Sequence, residues 1–239
     1  MRPLFGYHMP STGVTYRNPA LVAKAVTTLD VISKGRAVLG LGAAWNDSEH
    51  RGYGFDFPPV RERMDRLDEA LTICRLMFTQ ERPSYEGRFY RIEEALNSPR
   101  PIQPGGPRIL VGGGGEQRTL RLVARHADMS NWFGTLDELR HKSEVLDRHC
   151  EAEGRDPSTI LRTVMVPFVL VEDHGHARDV LDLLPPGRRA ASVPVTPAEC
   201  AERLGAYLDA GFGGFVFRNP TLSTPESLGL AAEVIRLLS

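Results

Sequence analysis

Four consecutive glycines, Gly112 to Gly115, are the strongest candidates for a binding site in the sequence. They follow the predicted strand Arg108 to Val111 and precede a predicted helix that starts near Glu116. Glycine lets backbone amides approach an anion closely, and the positive end of a helix dipole favours negative charge there. The pattern predicts a phosphate-binding loop.

Three polar residues next to these glycines could take part in binding. Arg118 could reach a phosphate or another acidic group, and Thr119 could add a hydroxyl. The carboxylate of Glu116 is stabilised at a helix start without any ligand, so its role stays open. The segment is not a P-loop, because no Gly-Lys-Ser/Thr follows, and it fits a dinucleotide fingerprint poorly. The alternative is a structural glycine turn with Arg118 in solvent.

A second group of candidates follows the apolar segment Ala37 to Leu41 and contains Gly42, Trp45, Asn46 and His50. The amide of Asn46 can both donate to and accept from the polar edge of a flavin-like ring, or it can simply cap a turn. Trp45 offers a flat wall to a substrate, or fills part of the core. His50 could move a proton, or lie exposed in a loop.

Metal and covalent chemistry find little support in the sequence. His174 and His176, beside Glu172 and Asp173, lie in a polar stretch without a third spaced ligand, which favours a solvated loop. No nucleophile–histidine arrangement can be assembled, and the three cysteines lack metal or redox spacing and are expected to be reduced thiols. The catalytic acid or base is not identified, and no metal is expected.

Strands and helices alternate along the chain. The predicted strands are Ala37–Leu41, Arg108–Val111, Ala127–Trp132, Thr163–Val171 and Gly214–Phe217, with Thr12–Tyr16 as a sixth candidate. Helices are predicted at Pro19–Ile32 and residues 60–79, and after Glu116, Thr135, Thr196 and Thr224, with a hairpin around Glu86–Gly87. Such alternation implies parallel pairing through right-handed crossovers, in a barrel or a doubly wound sheet.

Length and composition narrow the class of protein. The 239 residues, 41% apolar and 25% charged, suit a single domain over residues 1–239. A formal charge of -1 gives no field that would attract nucleic acid. The sequence shows no apolar run long enough to span a membrane and no signal-peptide pattern, so we expect a cytoplasmic protein without a membrane partner.

Four blocks together resemble the luciferase-like monooxygenase family, in the branch that uses the deazaflavin coenzyme F420. The blocks are Thr12–Ala20, Leu39–Asp47, Glu49–Gly54 and Ile109–Leu120. Their order and spacing agree with the family from about Thr12 to the C-terminus. The resemblance implies a (β/α)8 TIM-barrel type fold. It matches Asn46 to a position that contacts the cofactor and places Thr12 against the ring. It favours cofactor binding by Gly112 to Thr119 over a purely structural glycine turn.

Relatives carry two further strand–helix units before the block at Thr12, where only Met1 to Ser11 precede it in this sequence. We therefore expect about six of eight strands, in either a truncated product or a reduced family member. The implied activity is hydride transfer between F420 and a small organic substrate. FMN is the alternative cofactor, as in a monooxygenase, and a non-catalytic cofactor-binding relative is a third reading. The family also implies a possible homodimer.

Overall fold

The computed structural model describes residues 17–217 and 224–238. These residues fall into two compact units. The first comprises residues 17–131 and 141–160, and the second comprises residues 132–140, 161–217 and 224–238. The candidate strand at Thr12–Tyr16, and Thr12 as a site residue, lie outside the described residues. A single domain over the whole chain stays a prediction.

The helices of the described residues are α1 (Pro19–Ile32), α2 (Asp47–Gly52), α3 (Val60–Thr79), α4 (Thr119–His126), α5 (Leu136–Ala152), α6 (Ala177–Asp182), α7 (Pro186–Arg189), α8 (Pro197–Asp209) and α9 (Pro225–Leu237). The strands are β1 (Val38–Leu41), β2 (Tyr85–Glu86), β3 (Arg91–Ile92), β4 (Arg108–Gly112), β5 (Met129–Trp132), β6 (Leu161–Val166), β7 (Phe168–Leu170), β8 (Val193–Val195) and β9 (Gly214–Phe217). All five predicted strands within the described residues are therefore confirmed in kind, with some shift in their ends.

The first unit contains parallel pairing of β1 with β4 and of β4 with β5. In register, Leu41 lies opposite Val111 and Gly112 lies opposite Asn131. Parallel strands that follow one another through helices bring all their carboxyl ends to one edge of the sheet. The segments that leave β1 and β4 therefore start side by side, which is what places the two candidate groups together.

Helices α1 and α3 begin and end as their sequences predict. Asn18 caps α1 by accepting from the amide of Ala20, Pro19 occupies the first turn, and Gly35 follows with a positive φ of 80°. Helix α3 buries one face. Its fully or nearly fully buried side chains are Met64, Leu67, Ala70, Leu71, Ile73, Cys74, Met77 and Phe78. Burying each large apolar side chain contributes about 2 kcal/mol.

The predicted hairpin is present as the antiparallel pair β2–β3, and α3 holds its turn. The carboxylate of Glu69 accepts hydrogen bonds from the amides of Arg88, Phe89 and Tyr90, at 2.8, 3.0 and 3.0 Å. A side chain that accepts hydrogen bonds from three amides ties a two-stranded ribbon, which is marginal by itself, to a buried helix.

The second unit pairs β6 with β9, and β7 with β8, both in parallel. The long predicted strand at Thr163–Val171 is divided into β6 and β7 at Pro167, because proline has no amide to donate to a strand ladder. The predicted capping box of α8 is confirmed: Glu199 accepts from the Thr196 amide, and the Glu199 amide donates to the Thr196 hydroxyl.

Some features differ from the sequence predictions or add to them. Helix α4 starts at Thr119 instead of Glu116, and β8, α2, α6 and α7 were not predicted. Cys74, Cys150 and Cys200 are buried, and burial raises the pKa of Cys74 and of Cys200 to about 12, which keeps both as thiols. Within the described residues, we find no helix that combines the length and the apolar character needed to cross a membrane.

Candidate functional site

The exits of β1 and β4 are direct neighbours in the first unit. A Cβ atom placed on Gly42 would lie 3.5 Å from the carbonyl oxygen of Gly112, in ordinary van der Waals contact. We call residues 42–59, between β1 and α3, the first connection, and residues 113–118, between β4 and α4, the second connection. The sheet register thus brings together the two groups of candidates, which are about 70 residues apart in sequence.

The second connection presents backbone amides. Gly113 has a φ of 116°, which glycine adopts readily, and its amide donates to the Asn131 carbonyl at 3.2 Å. In the described part of the chain, no group accepts from the amides of Gly114 or Gly115. The Thr119 hydroxyl is close by, 2.9 Å from where a Cβ on Gly115 would lie. This arrangement suits a phosphate or carboxylate, because both take hydrogen bonds from amides and hydroxyls.

Basic side chains from α5 surround the second connection. Glu116 pairs with His141 at 3.3 Å and more loosely with Lys142 at 3.8 Å. His149 donates from Nε2 to the Glu116 carbonyl oxygen at 2.7 Å. The stem of Lys142 lies against Gly114, with its Cε 2.9 Å from the position of a Cβ there. Glu116 thus has local partners and needs no ligand to stabilise it.

Arg118 is not directed as the sequence predicted. Its guanidinium pairs with the carboxylate of Asp65 and donates to the carbonyl of Arg61 at 3.0 Å, so α3 holds it. The prediction that Arg118 reaches a bound phosphate is therefore not matched by its position. Here Arg118 borders an open cleft of about 460 Å³. The cleft is lined by Val60, Arg61, Met64, Asp65 and Arg118.

The first connection is fixed by side chains. Arg63 of α3 donates from Nε to the Pro58 carbonyl at 3.0 Å, and from a terminal nitrogen to the carbonyls of Ala43, at 3.2 Å, and Ala44. Its guanidinium also lies 4.0 Å from the centre of the Phe57 ring. Both ends of the connection are thereby bound to one cation, and Ala44 is held at a φ of 60°, which non-glycine residues rarely adopt.

Asn46 caps helix α2, as the alternative interpretation expected. Its side-chain oxygen accepts from the Ser48 hydroxyl at 2.7 Å and from the Glu49 amide at 3.3 Å. No acceptor for its amide nitrogen is present in the part of the chain that the structure describes. The cap fixes the side chain and leaves the nitrogen as a donor at the exit of β1.

His50 and Trp45 take opposite positions in the first connection. His50 is 1% exposed, its ring packs edge-on against Phe57 at 4.7 Å, and its Nδ1 lies 2.8 Å from the Asn46 carbonyl oxygen. Helix α2 turns this ring inward and away from open solvent, and the substrate-facing role of His50 stays a prediction. Trp45 is 85% exposed, and its indole is free to cover a molecule bound at the exit.

Two residues were missed by the sequence analysis. Arg63 belongs to a predicted helix, and a single arginine in a helix gives no indication that it will bind two distant carbonyl groups. Lys142 is 28 residues beyond Gly114, on a helix whose other charges are mostly solvated. Neither has a local sequence signal, since both depend on how α3 and α5 pack.

The polar stretch after β7 contains ion pairs. His174 pairs with Glu199 at 3.0 Å and His176 pairs with Asp173 at 3.0 Å. Across the described ranges, we find no group of three or more histidine, cysteine or acidic side chains that could hold a metal ion. The candidate groups at the strand exits therefore remain the most developed site in this part of the chain.

Comparison with known proteins identifies the family. The luciferase-like monooxygenase family model matches residues 10–193. An F420-dependent glucose-6-phosphate dehydrogenase from Intrasporangium calvum is 30% identical over 244 residues, 86% of this chain and 71% of that protein. A protein of the same name from Kineococcus radiotolerans is 28% identical, over 92% of this chain and 74% of that protein.

A solved structure supports the fold. An F420-dependent secondary alcohol dehydrogenase, in complex with an F420–acetone adduct, aligns with a TM-score of 0.75 at 17% identity, covering 94% of this chain and 76% of that one. The fold is therefore α/β, of the luciferase-like (β/α)-barrel type. The predicted resemblance is confirmed, and this chain belongs to the luciferase-like monooxygenase family.

Proposed function

We propose that this protein is a coenzyme F420-dependent oxidoreductase that transfers a hydride between the deazaflavin and a small organic substrate. The observation that carries the proposal is the pair of amides of Gly114 and Gly115, which no described group accepts from, at the exit of β4 directly beside the exit of β1. An anionic cofactor tail would take these two donors, which solvent would otherwise have to satisfy.

Each side chain has a distinct part in this proposal. The Thr119 hydroxyl adds a third donor for the anionic tail. The side-chain nitrogen of Asn46, held by its capping bonds, donates to the polar edge of the ring. Trp45 covers the substrate side and excludes water. When bound, the deazaflavin supplies two-electron hydride chemistry, while the protein binds and orients it.

The names of the sequence relatives favour F420 over FMN. Both relatives described above are named as F420-dependent dehydrogenases, and they align over most of this chain. We propose a small organic molecule as the substrate. Glucose 6-phosphate is the first compound to test, because both relatives are named for it. The homodimer and the cytoplasmic location stay predictions.

Cofactor binding is the direct test. Titrating the purified protein into F420, and separately into FMN, should quench the fluorescence of F420 and leave that of FMN unchanged. Gly113→Ala should weaken F420 binding, because a side chain at a φ of 116° costs roughly 1–3 kcal/mol and the connection would rearrange. Quenching of FMN alone would favour the monooxygenase, and no quenching of either would overturn the proposal.

The role of Asn46 can be separated from its cap. Aspartate caps a helix as well as asparagine does, so Asn46→Asp should preserve stability. It removes the side-chain nitrogen and adds a negative charge, so F420 binding should weaken. Equal affinity in both proteins would leave Asn46 as a cap only. If binding is intact, loss or gain of F420 absorbance with glucose 6-phosphate then tests hydride transfer itself.

A further inference from the structure

Lys142 of α5 lies close to Gly112–Gly115, which we call the glycine loop. Its ammonium group has no hydrogen-bonded partner among the described residues. Its side chain is 20% exposed, and its stem lies over Gly114. The ammonium group is 3.5 Å from the position that a Cβ on Gly114 would occupy. Its single ion pair, with Glu116, is long at 3.8 Å. Most of the side chain is covered, and its ammonium makes no short charge-assisted hydrogen bond to a described residue, so it can still accept an anionic ligand.

The glycine loop explains why Lys142 can approach so closely. Gly114 has no side chain and does not have a positive φ, so its lack of a Cβ serves the contact with Lys142 and not a backbone conformation. The ammonium therefore lies next to a residue whose backbone amide donates to no group in the described ranges. A cation and free amides that meet at one point suit a group with negative charge on several oxygens.

We propose that Lys142 is a cofactor-binding residue that pairs with the anionic tail of the cofactor, and that Glu116 is an internal competitor for it. This rests on the proposed function, and it assigns to α5 the cation that the sequence analysis placed on Arg118. In the free protein the Glu116 carboxylate lies 3.8 Å from the Lys142 ammonium and 3.3 Å from His141 Nε2. Binding of the phosphate exchanges this long ion pair for a direct one at the loop.

The proposal predicts opposite effects for the two partners. Lys142→Met keeps the apolar stem against Gly114 and removes the charge, so F420 should bind roughly tenfold or more weakly. Glu116→Gln removes the competing charge, so F420 should bind about two- to fivefold more tightly, as expected for a partly exposed pair. A merely structural role for the pair would predict weaker binding in both variants.

A matched control is available on the same helix. Arg148 is exposed on α5, and Arg148→Met removes one positive charge without touching the loop. Affinity is measured by F420 fluorescence quenching at low and at high salt, and folding by circular dichroism. We expect unchanged affinity in Arg148→Met, and a smaller dependence on salt in Lys142→Met than in the wild type, because one screened ion pair is gone.

Failure of this inference differs from failure of the proposed function. If the wild type binds F420 and folded Lys142→Met binds equally well, Lys142 has no part in binding and the inference is overturned, while the proposed function stands. If Glu116→Gln weakens binding, the competitor role is overturned.

If Lys142→Met does not fold, Lys142→Arg and the salt dependence of the wild type decide: loss of binding with rising salt supports the ion pair, and salt-independent binding contradicts it. If the wild type fails to bind F420, the proposed function fails first.

Discussion

The two connections at the strand exits differ in how the rest of the protein binds their backbone groups. The first connection leaves β1 and is fixed from outside, by Arg63 on its carbonyl groups and by the buried ring of His50. The second connection leaves β4 and is short and glycine-lined, with amides that no described group accepts from. Side chains of the protein hold the first connection in place, whereas the second presents amide donors to solvent or to a ligand.

Because of this difference, the side chains that fix the first connection should contribute mainly to folding stability, and the amides of the second mainly to cofactor affinity. Changes to Arg63 and His50, which fix the first connection, should cost folding free energy, because their interactions are already made in the free protein. Changes to the second should cost mainly affinity, because its donors are satisfied only by solvent or a ligand.

Arg63→Ala should be the most destabilising change, by about 3 kcal/mol. It removes several charged hydrogen bonds to carbonyl groups, and the contact with Phe57, from a half-buried position. Urea denaturation of the wild type and the variant measures the loss. Arg61→Ala, two residues earlier on the same helix, serves as the control and should change stability by less than about 0.5 kcal/mol. Equal losses in both variants would contradict the proposed importance of Arg63.

His50→Ala should destabilise by about 2 kcal/mol, because it leaves a cavity beside Phe57. Since the ring is buried, we expect the rate of hydride transfer per folded molecule to stay near that of the wild type. Denaturation curves and initial rates of F420 turnover test the two parts together. Normal stability combined with a large loss of rate would return His50 to the substrate and break the comparison.

The contact between α3 and α4, the helices that follow the two connections, should stabilise the fold less as the pH falls. Asp68 pairs with His126 at 2.6 Å and with Arg125 at 3.3 Å. The hydrogen bond from His126, aided by the charges of His126, Arg125 and Arg118, lowers the pKa of Asp68 despite partial burial.

The direction of this acid effect follows from the lowered pKa. A carboxyl group whose pKa is lowered by folding stabilises the folded state above its unfolded pKa of about 4, and this contribution is lost as the pH falls through the lower folded pKa. Asp68→Asn should therefore flatten the fall in the free energy of unfolding below about pH 4. Denaturation at a series of pH values measures this, and identical pH profiles would show that the contact contributes nothing.

Gly114→Ala should have the smallest effect on stability, within about 0.5 kcal/mol, because Gly114 has no positive φ and the new methyl group would meet the flexible end of Lys142. F420 binding should nevertheless weaken, because Lys142 is displaced. Denaturation and fluorescence titration of the same preparation separate the two effects. A loss of stability as large as that of Arg63→Ala would show that the second connection is also a structural element.

Much of the architecture could be predicted from local patterns. The bounds of α1, α3 and β9 agree with their predictions, because capping residues, prolines and apolar periodicity act over a few residues. The start of α4 was placed too early, because Glu116 is helix-favouring but its segment first makes a turn that the glycines permit. The short strand β8 was missed, since three residues around a proline give no periodic signal.

The sequence by itself determined the family, the alternation of strands and helices, and the glycine-lined exit of β4. These depend on residue types and on spacing along the chain. Tertiary structure alone decided that Arg118 turns to Asp65, that His50 is buried, and that Lys142 lies over Gly114. The physical reason is that a charged or aromatic side chain takes whichever partner packing brings within a few ångströms, and that partner belongs to another element of the fold.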